Sequence, residues 1–292
     1  MVTVRLLGGL GNQMFQYALG RTLAAKLGTP LKLDLAFLMD RSKESGLVHR
    51  NYDLAGFNIS ATIASQSEVP FVFRMHGKGA LAWKLDGLRR RLLRSHGCER
   101  RFRFDPSILE AGQGTYLEGY WQSHKYFESA QHLIRADFVP ARPLPEDVRS
   151  LLDVISTQQA VCVHVRRGDF MLNPRHGTMQ REYFSKAWEI IKTRPHGRVY
   201  VFSDDVEWCR KEFDAIPDCV FVGDDLVASK EPAHHLLLMS ACSSFIIANS
   251  SFSWWAAWLS RGPSPRVVAP RTWFADNSLD TSDLCPEDWV RI

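Results

Sequence analysis

An α/β protein of two domains is predicted by three features of the 292-residue chain. Apolar strand patterns alternate with helical ones, polar motifs fall where strands stop, and a proline-rich break divides the alternation near its middle. Residues 2–7 read as the first strand, which runs into Gly8-Gly-Leu-Gly11. In the helix that follows, over about 12–27, Met14, Tyr17, Ala18, Arg21, Ala24, Ala25 and Leu27 keep a roughly 3.6-residue spacing; residues 31–35 form the next strand. This order is a βαβ opening. The stretch 40–110 is less regular. Phe138-Val-Pro140, with Pro143 and Pro145 after it, is the expected linker, because proline breaks helices and cannot join a sheet interior. The domains are therefore placed at 1–143 and 144–292. The second domain opens with a helix over 147–157 and the strand 161–165. A helix over 181–192 and a strand over 198–202 follow, then a helix over 234–242, a strand over 244–248, a polar turn at 249–253 and a helix through 254–259.

Composition narrows the class. A hydrophobic content of 45% over this length suffices for large cores, and Lys+Arg 36 against Asp+Glu 32 leaves a formal charge of only +4, too small for a dedicated nucleic-acid binder. The six cysteines contain no C-x-x-C pair and several lie in apolar runs, which argues against both a disulfide framework and a zinc site and for a reducing compartment. The amino terminus enters a strand directly, without a signal-peptide pattern, and no run of about 18 apolar residues offers a membrane span. A cytoplasmic protein is expected.

The densest chemistry follows the strand 161–165, where Val-Cys-Val-His-Val runs into Arg166-Arg167-Gly168-Asp169. Ligands of open α/β sheets bind at the carboxyl ends of strands. Arginine grips two phosphate oxygens at once, and Gly168 lets the backbone come close, so the pair suits a diphosphate or another dense anion; a surface ion-pair cluster is the alternative. Two more strand ends carry complementary groups. Ser203, Asp204 and Asp205 could meet ribose hydroxyls or a purine edge, or simply be solvated. Asn249, Ser250, Ser251 and Ser253 open a helix, where free N–H groups and hydroxyls suit phosphate, although Ser and Asn also serve as plain N-caps. Taken jointly, the three ends read as a nucleotide diphosphate site. The amino-terminal Gly9-Leu-Gly11, with Asp34 ending the second strand, imitates a dinucleotide fingerprint. Met14 stands where its third glycine belongs, which counts against a nicotinamide enzyme.

Four stretches resemble the bacterial α-1,2-fucosyltransferases, and together they span nearly the whole chain: Gly8-Gly-Leu-Gly-Asn-Gln-Met-Phe-Gln-Tyr-Ala18, His164-Val-Arg-Arg-Gly-Asp169, Phe202-Ser-Asp-Asp205 and Ala248-Asn-Ser-Ser-Phe-Ser-Trp-Trp-Ala-Ala-Trp-Leu259. The arginine motif alone is shared with α-1,6- and protein O-fucosyltransferases. The resemblance implies a GT-B architecture of two Rossmann-like domains facing a central cleft, GDP-fucose as donor to the 2-hydroxyl of a galactoside, inversion at the anomeric carbon, and no metal or other cofactor. It further implies a place in bacterial surface-glycan synthesis, such as O-antigen, with a lactose-like or lipid-linked acceptor.

Carried over by position, Arg166 would hold the donor β-phosphate, with Arg167 more structural. Ser203, Asp204, Asn249, Ser250, Ser251 and Phe252 would line the GDP pocket, beside Asp205 and Ser253. Gly9, Gly11, Asn12 and Gln13 would reach the donor from the first domain. Tyr120, Trp121, Gln122 and His176 would lie near the acceptor, with Trp121 the expected sugar-stacking ring because polar Gln122 and Ser123 flank it. For the general base, Asp169, His164, His176, His124 and Glu118 are all open. Asp169 is slightly favoured, and the alternative for it is an orienting partner of an arginine. Departures from the family pattern occur at His235, where an aspartate is usual, and at Ser243-Ser244, where a Lys-His pair is common.

The aromatic block Phe252, Trp254, Trp255 and Trp258 is expected in the core. The arginine-dense segment 89–103 is read as a solvated face, the alternative being contact with an anionic acceptor or the inner membrane surface. Two other functions stand beside the main one: fucosyl transfer with different regiochemistry (α-1,6 or protein O-linked) and non-catalytic carbohydrate binding.

Overall fold

The computed structural model describes residues 1–40, 50–70, 97–99, 101–172, 177–213, 216, 218–223, 225–262, 265–276 and 278–292. The chain divides into two compact units, Met1–Val139 with Ser282–Leu284, and Pro140–Thr281 with Cys285–Ile292. Residues 282–284 return to the first unit, where the Ser123 hydroxyl donates to the Asp283 carbonyl at 2.7 Å and Lys125 pairs with the Asp283 carboxylate at 2.5 Å.

The first unit carries a parallel sheet in the order β3-β2-β1-β4, formed by β1 Val2–Arg5, β2 Leu31–Asp34, β3 Thr62–Ile63 and β4 Tyr116–Leu117. Helix α1, Leu10–Lys26, is the crossover that joins β1 to its parallel neighbour β2. The close helix-to-sheet approach that Met14 cannot provide comes at Gly20 instead, where a Cβ would stand 2.4 Å from Val4 and 2.9 Å from Leu31. Met14 is itself wholly buried.

The second unit carries a six-stranded parallel sheet in the order β10-β9-β8-β5-β6-β7. Its strands are β5 Val161–Val165, β6 Val199–Ser203, β7 Cys219–Val222, β8 Ser244–Ile246, β9 Arg266–Ala269 and β10 Val290–Arg291. All five residues of β5 are buried, as a central strand covered on both faces demands. Helices Glu146–Ser156, Arg181–Ile191, Val206–Glu212, Pro232–Ser240 and Ser251–Leu259 alternate with the strands. The tryptophans of the last helix are core, as expected: Trp254 and Trp255 are wholly buried, and the Trp254 ring lies 5.1 Å from Trp255 and 5.4 Å from Trp289.

No helix among the described residues is long and apolar enough to cross a membrane. Of the arginine-dense segment only Arg101 and Arg103 are described; Arg103 is exposed and pairs with Asp283 at 3.3 Å. Its other arginines, Arg89, Arg90, Arg91, Arg94 and Arg100, lie outside the described residues.

Candidate active site

Strand order locates a candidate site in each unit. In the second sheet the chain builds β6 and β7 on one side of β5 and β8 to β10 on the other, so the direction reverses between β5 and β8, and it is beyond such reversals that parallel sheets open a crevice. The three polar strand ends meet there. Val165 stands beside Ser203 across the β5–β6 pair, and Val163 beside Ile246 across β5–β8, so Arg166 emerges between Ser203–Asp205 and Asn249–Ser251.

Arg166 is clamped by two carboxylates. Its Nη2 lies 2.6 Å from Asp169 Oδ1 and its Nη1 lies 3.0 Å from Asp204 Oδ2, with the side chain about a quarter exposed. A guanidinium fixed at both ends loses little entropy when it meets an anion. Asp204 is held in turn, since its Oδ1 accepts the Arg167 backbone N–H at 2.9 Å. Gly168 leaves space for this carboxylate: a Cβ there would stand 2.6 Å from Asp204 Oδ2. Arg167 points elsewhere, its Nε 3.1 Å from Asp205 Oδ2 and its guanidinium 4.1 Å over the Trp208 ring. Asp205 also caps the helix Val206–Glu212 through the Trp208 N–H. Asp204 and Asp205, expected to meet ribose or purine, thus serve the arginines and a helix end, and the Ser203 hydroxyl accepts the Asp205 N–H.

The opening of the helix Ser251–Leu259 is capped by Ser250, whose hydroxyl accepts the Phe252 N–H at 3.3 Å. Asn249 donates its amide to the Trp273 and Gly177 carbonyls at 3.0 and 3.3 Å, and so fixes neighbouring loops. Ser253 is wholly buried with its hydroxyl turned back to the Ser250 carbonyl, which leaves it a helix-start residue rather than a ligand contact. Ser250 and Ser251, at the positive end of this helix, remain suited to phosphate.

His164 departs from its expected catalytic role. It is buried, its ring lies 5.9 Å from Phe252, and its Nδ1 has no hydrogen-bond partner. Burial, aided by the charge of Arg166, pushes its pKa down to about 3. The imidazole is therefore neutral near pH 7 and too weakly basic to take a proton there. Asp169, favoured as base, is the partner of Arg166. His176 lies outside the described residues.

The first sheet reverses between β1 and β4, so the loops after these two strands, residues 6–9 and 118–123, flank its crevice. Gly9 caps α1, its carbonyl accepting the Asn12 and Gln13 N–H groups. Gly11 follows in the first turn. Gln13 is buried, and its amide binds the Gly8 and Asn51 carbonyls and the Asp53 N–H, so it clamps residues 51–53 onto the loop instead of facing a ligand. Asn12 accepts the Gln122 amide at 2.8 Å. Gln16, whose role sequence reasoning missed, bonds the Leu7 N–H and carbonyl and the Gly119 carbonyl, tying the two crevice loops together. The signal was its place one turn beyond Gln13, as the one amide inside the otherwise apolar run 14–19.

Trp121 is the clearest correction. It adopts φ +56°, is 2% exposed, and packs edge-on to Tyr126 at 5.6 Å, so it cannot stack on a sugar. Its neighbour Tyr120 is 42% exposed. Beneath this turn lie charged groups. Buried Arg5 at the end of β1 pairs with Glu118 at 3.4 Å, and Asp34 accepts the Tyr116 hydroxyl at 2.5 Å. Glu118 is thus engaged by a cation and not a free base. Glu99, also overlooked in the sequence, accepts the N–H groups of Tyr120 and Trp121, and burial pushes its pKa up to about 7.

Comparison with known proteins bears on the family and the fold. Residues 103–292 match the model of glycosyl transferase family 11. An alpha-1,2-colitosyltransferase of Escherichia coli is 33% identical across 100% of this chain and 99% of its own length. The O-antigen biosynthesis glycosyltransferase WbnK, also from Escherichia coli, is 30% identical over 98% of this chain and 99% of its own. Among solved structures, the fucosyltransferase NodZ from Bradyrhizobium shares the fold, with a TM-score of 0.50 at 14% identity over 88% of this chain and 92% of its own. The two parallel α/β units are of the GT-B class. On its motifs, its full-length relatives and its fold, the chain belongs to glycosyl transferase family 11.

Proposed function

We propose that this glycosyltransferase moves L-fucose, or its 3-deoxy counterpart colitose, from a GDP donor to the 2-hydroxyl of a terminal galactose with inversion, during assembly of a bacterial surface glycan. The observation that carries the reading is the doubly held Arg166 at the end of β5, with the Ser250-Ser251 helix start following the neighbouring strand β8 across the reversal of the second sheet. The motifs shared with bacterial α-1,2-fucosyltransferases and the names of the two Escherichia coli relatives support the linkage, the sugar class and the pathway.

In this reading the bond between the anomeric carbon and the β-phosphate oxygen breaks through an oxocarbenium-like transition state while the galactose oxygen bonds to the opposite face. Negative charge grows on the departing diphosphate. Fixed donors aimed at such charge each contribute about 3 kcal/mol to the step, or roughly a hundredfold in rate, so Arg166 and the helix start replace a metal ion. Asp204 keeps Nη1 in place while Nη2 turns from Asp169 to a phosphate oxygen, and the Asp169 carboxylate, no longer paired with Arg166, takes the proton of the acceptor hydroxyl.

The test is incubation with GDP-fucose or GDP-colitose, lactose and EDTA, with product mass read beside an Arg166→Ala control. A product that persists in EDTA and is lost in the variant supports the reading. Failure of both donors to give product or to raise the melting temperature would rule out a GDP-sugar donor.

A further inference from the structure

We propose that Glu99 is a positioning residue for the acceptor: its carboxylate takes the consecutive backbone N–H groups of Tyr120 and Trp121 and so fixes the Tyr120 ring outward as the face on which the acceptor sugar packs. This rests on the transferase reading above, with the acceptor at the strand reversal of the first unit.

Four observations converge on the turn. Tyr120 N–H donates to Glu99 Oε2 at 2.7 Å and Trp121 N–H to Oε1 at 3.0 Å, so one carboxylate bridges two successive amides. Such consecutive N–H groups can converge on one anion only where the backbone turns, and Trp121, at φ +56°, supplies the left-handed residue that makes the turn. That conformation sends the Trp121 ring inward to Tyr126 and leaves Tyr120 half exposed. Gly119 completes the wrap, since a Cβ there would lie 2.5 Å from Glu99 Cβ and 2.8 Å from the Trp121 ring. The carboxylate is itself anchored, because Glu99 N–H donates to the Glu118 carbonyl and Glu118 N–H to the Gly97 carbonyl, extending β4 by a parallel bridge. No cation pairs with Glu99 among the described residues; the phenols of Tyr120 and Tyr126 are the titratable groups facing it.

An aromatic face beside polar groups is the usual platform for a pyranose ring, burying its C–H face while its hydroxyls stay hydrogen-bonded. Gln122, two residues along the same loop and expected to meet the acceptor, is instead buried with its amide bonded to Asn12, which fixes the far end of the turn. Glu99 acts only through the turn, so it should govern acceptor binding and leave the donor site in the other unit alone.

The experiment is a double-mutant cycle on Glu99→Ala and Tyr120→Ala, with Glu99→Gln as the isosteric variant. Acceptor KM and kcat are measured for each, GDP-fucose affinity is measured by calorimetry, and melting curves confirm folding. Loss of the bridging carboxylate should raise acceptor KM about tenfold with little change in kcat or donor affinity, the size expected when a hydrogen bond to a charged group is lost. Glu99→Gln, which keeps one acceptor oxygen, should fall between, and it carries the test if the alanine variant does not fold. In the Tyr120→Ala background, removing Glu99 should cost nothing further. An unchanged acceptor KM in Glu99→Gln and Glu99→Ala, or effects of the two sites that multiply, would overturn the proposal. Absence of transfer by the parent protein, by contrast, would overturn the transferase reading beneath it.

Discussion

Replacing Gly168 by alanine should disable Arg166 without touching it. The new Cβ would stand 2.6 Å from Asp204 Oδ2 and 3.2 Å from its Cγ, so the carboxylate must retreat by about 0.8 Å to reach the 3.4 Å of ordinary contact. Its other oxygen is held by the Arg167 N–H at 2.9 Å, which leaves rotation away from Arg166 as the available response. The ion pair, now 3.0 Å, would lengthen to roughly 3.8 Å, where a hydrogen bond has been lost. A hydrogen bond to a charged group contributes about 1.5–3 kcal/mol, so kcat/KM for the GDP-sugar should fall roughly ten- to a hundredfold. The assay is steady-state transfer by Gly168→Ala, Asp204→Asn and the double variant, with urea midpoints as a folding control. Because both changes break the same pair, the double variant should be little worse than the poorer single. A Gly168→Ala enzyme with parental kcat/KM, or losses that multiply, would refute the idea that Asp204 holds Arg166 in working position.

Three further outcomes follow from buried groups. His164, with its pKa pushed from 6.5 to about 3, binds fewer protons folded than unfolded in that window, so its contribution to stability is complete above pH 6.5 and falls by about 1.4 kcal/mol per unit below it. Urea titrations of parent and His164→Phe at pH 7.5 and 5 should show the parent losing about 2 kcal/mol more; Glu99, whose raised pKa gives the opposite slope, cancels in that difference. Equal losses would mean that His164 is solvated. Trp121→Ala should cost about 3–5 kcal/mol by emptying a core position, whereas Trp121→Phe, which removes a buried Nε1–H that has no partner, should cost far less and keep acceptor binding; a large rise in acceptor KM for the phenylalanine variant would restore Trp121 as a stacking ring. Gln13→Leu strands the Gly8 and Asn51 carbonyls and the Asp53 N–H and should destabilise the first unit by about 2–4 kcal/mol, read as an earlier thermal transition.

What the sequence discloses and what it hides follow from range. The strand ends were legible because a buried-strand pattern stops at Arg166, Asp204 and Asn249, and topology then has only to set those ends side by side. The direction of side chains within a turn was not legible. Trp121 looked exposed because Gln122 and Ser123 are polar, but a left-handed backbone at that one residue reverses its ring and hands the exposed place to Tyr120. Glu99 was hidden among arginines at 100, 101 and 103, and its partners lie 21 and 22 residues away. Gln13 and Asn249 share a different cause: amide side chains suit a ligand and a neighbouring loop carbonyl equally well, and only the fold chooses between them. Met14 spoils the dinucleotide fingerprint, and the close helix-to-sheet packing that its third glycine would give is found six residues further on, at Gly20.

The most direct measurement is the NMR structure of the disaccharide linkage formed from a β-configured GDP-sugar and a galactoside. An α-anomeric signal and a through-bond correlation from the transferred C1 to galactose C2 are expected, from GDP-fucose or GDP-colitose. A β-linked product would contradict inversion, and attachment at any other galactose carbon would contradict the acceptor assignment.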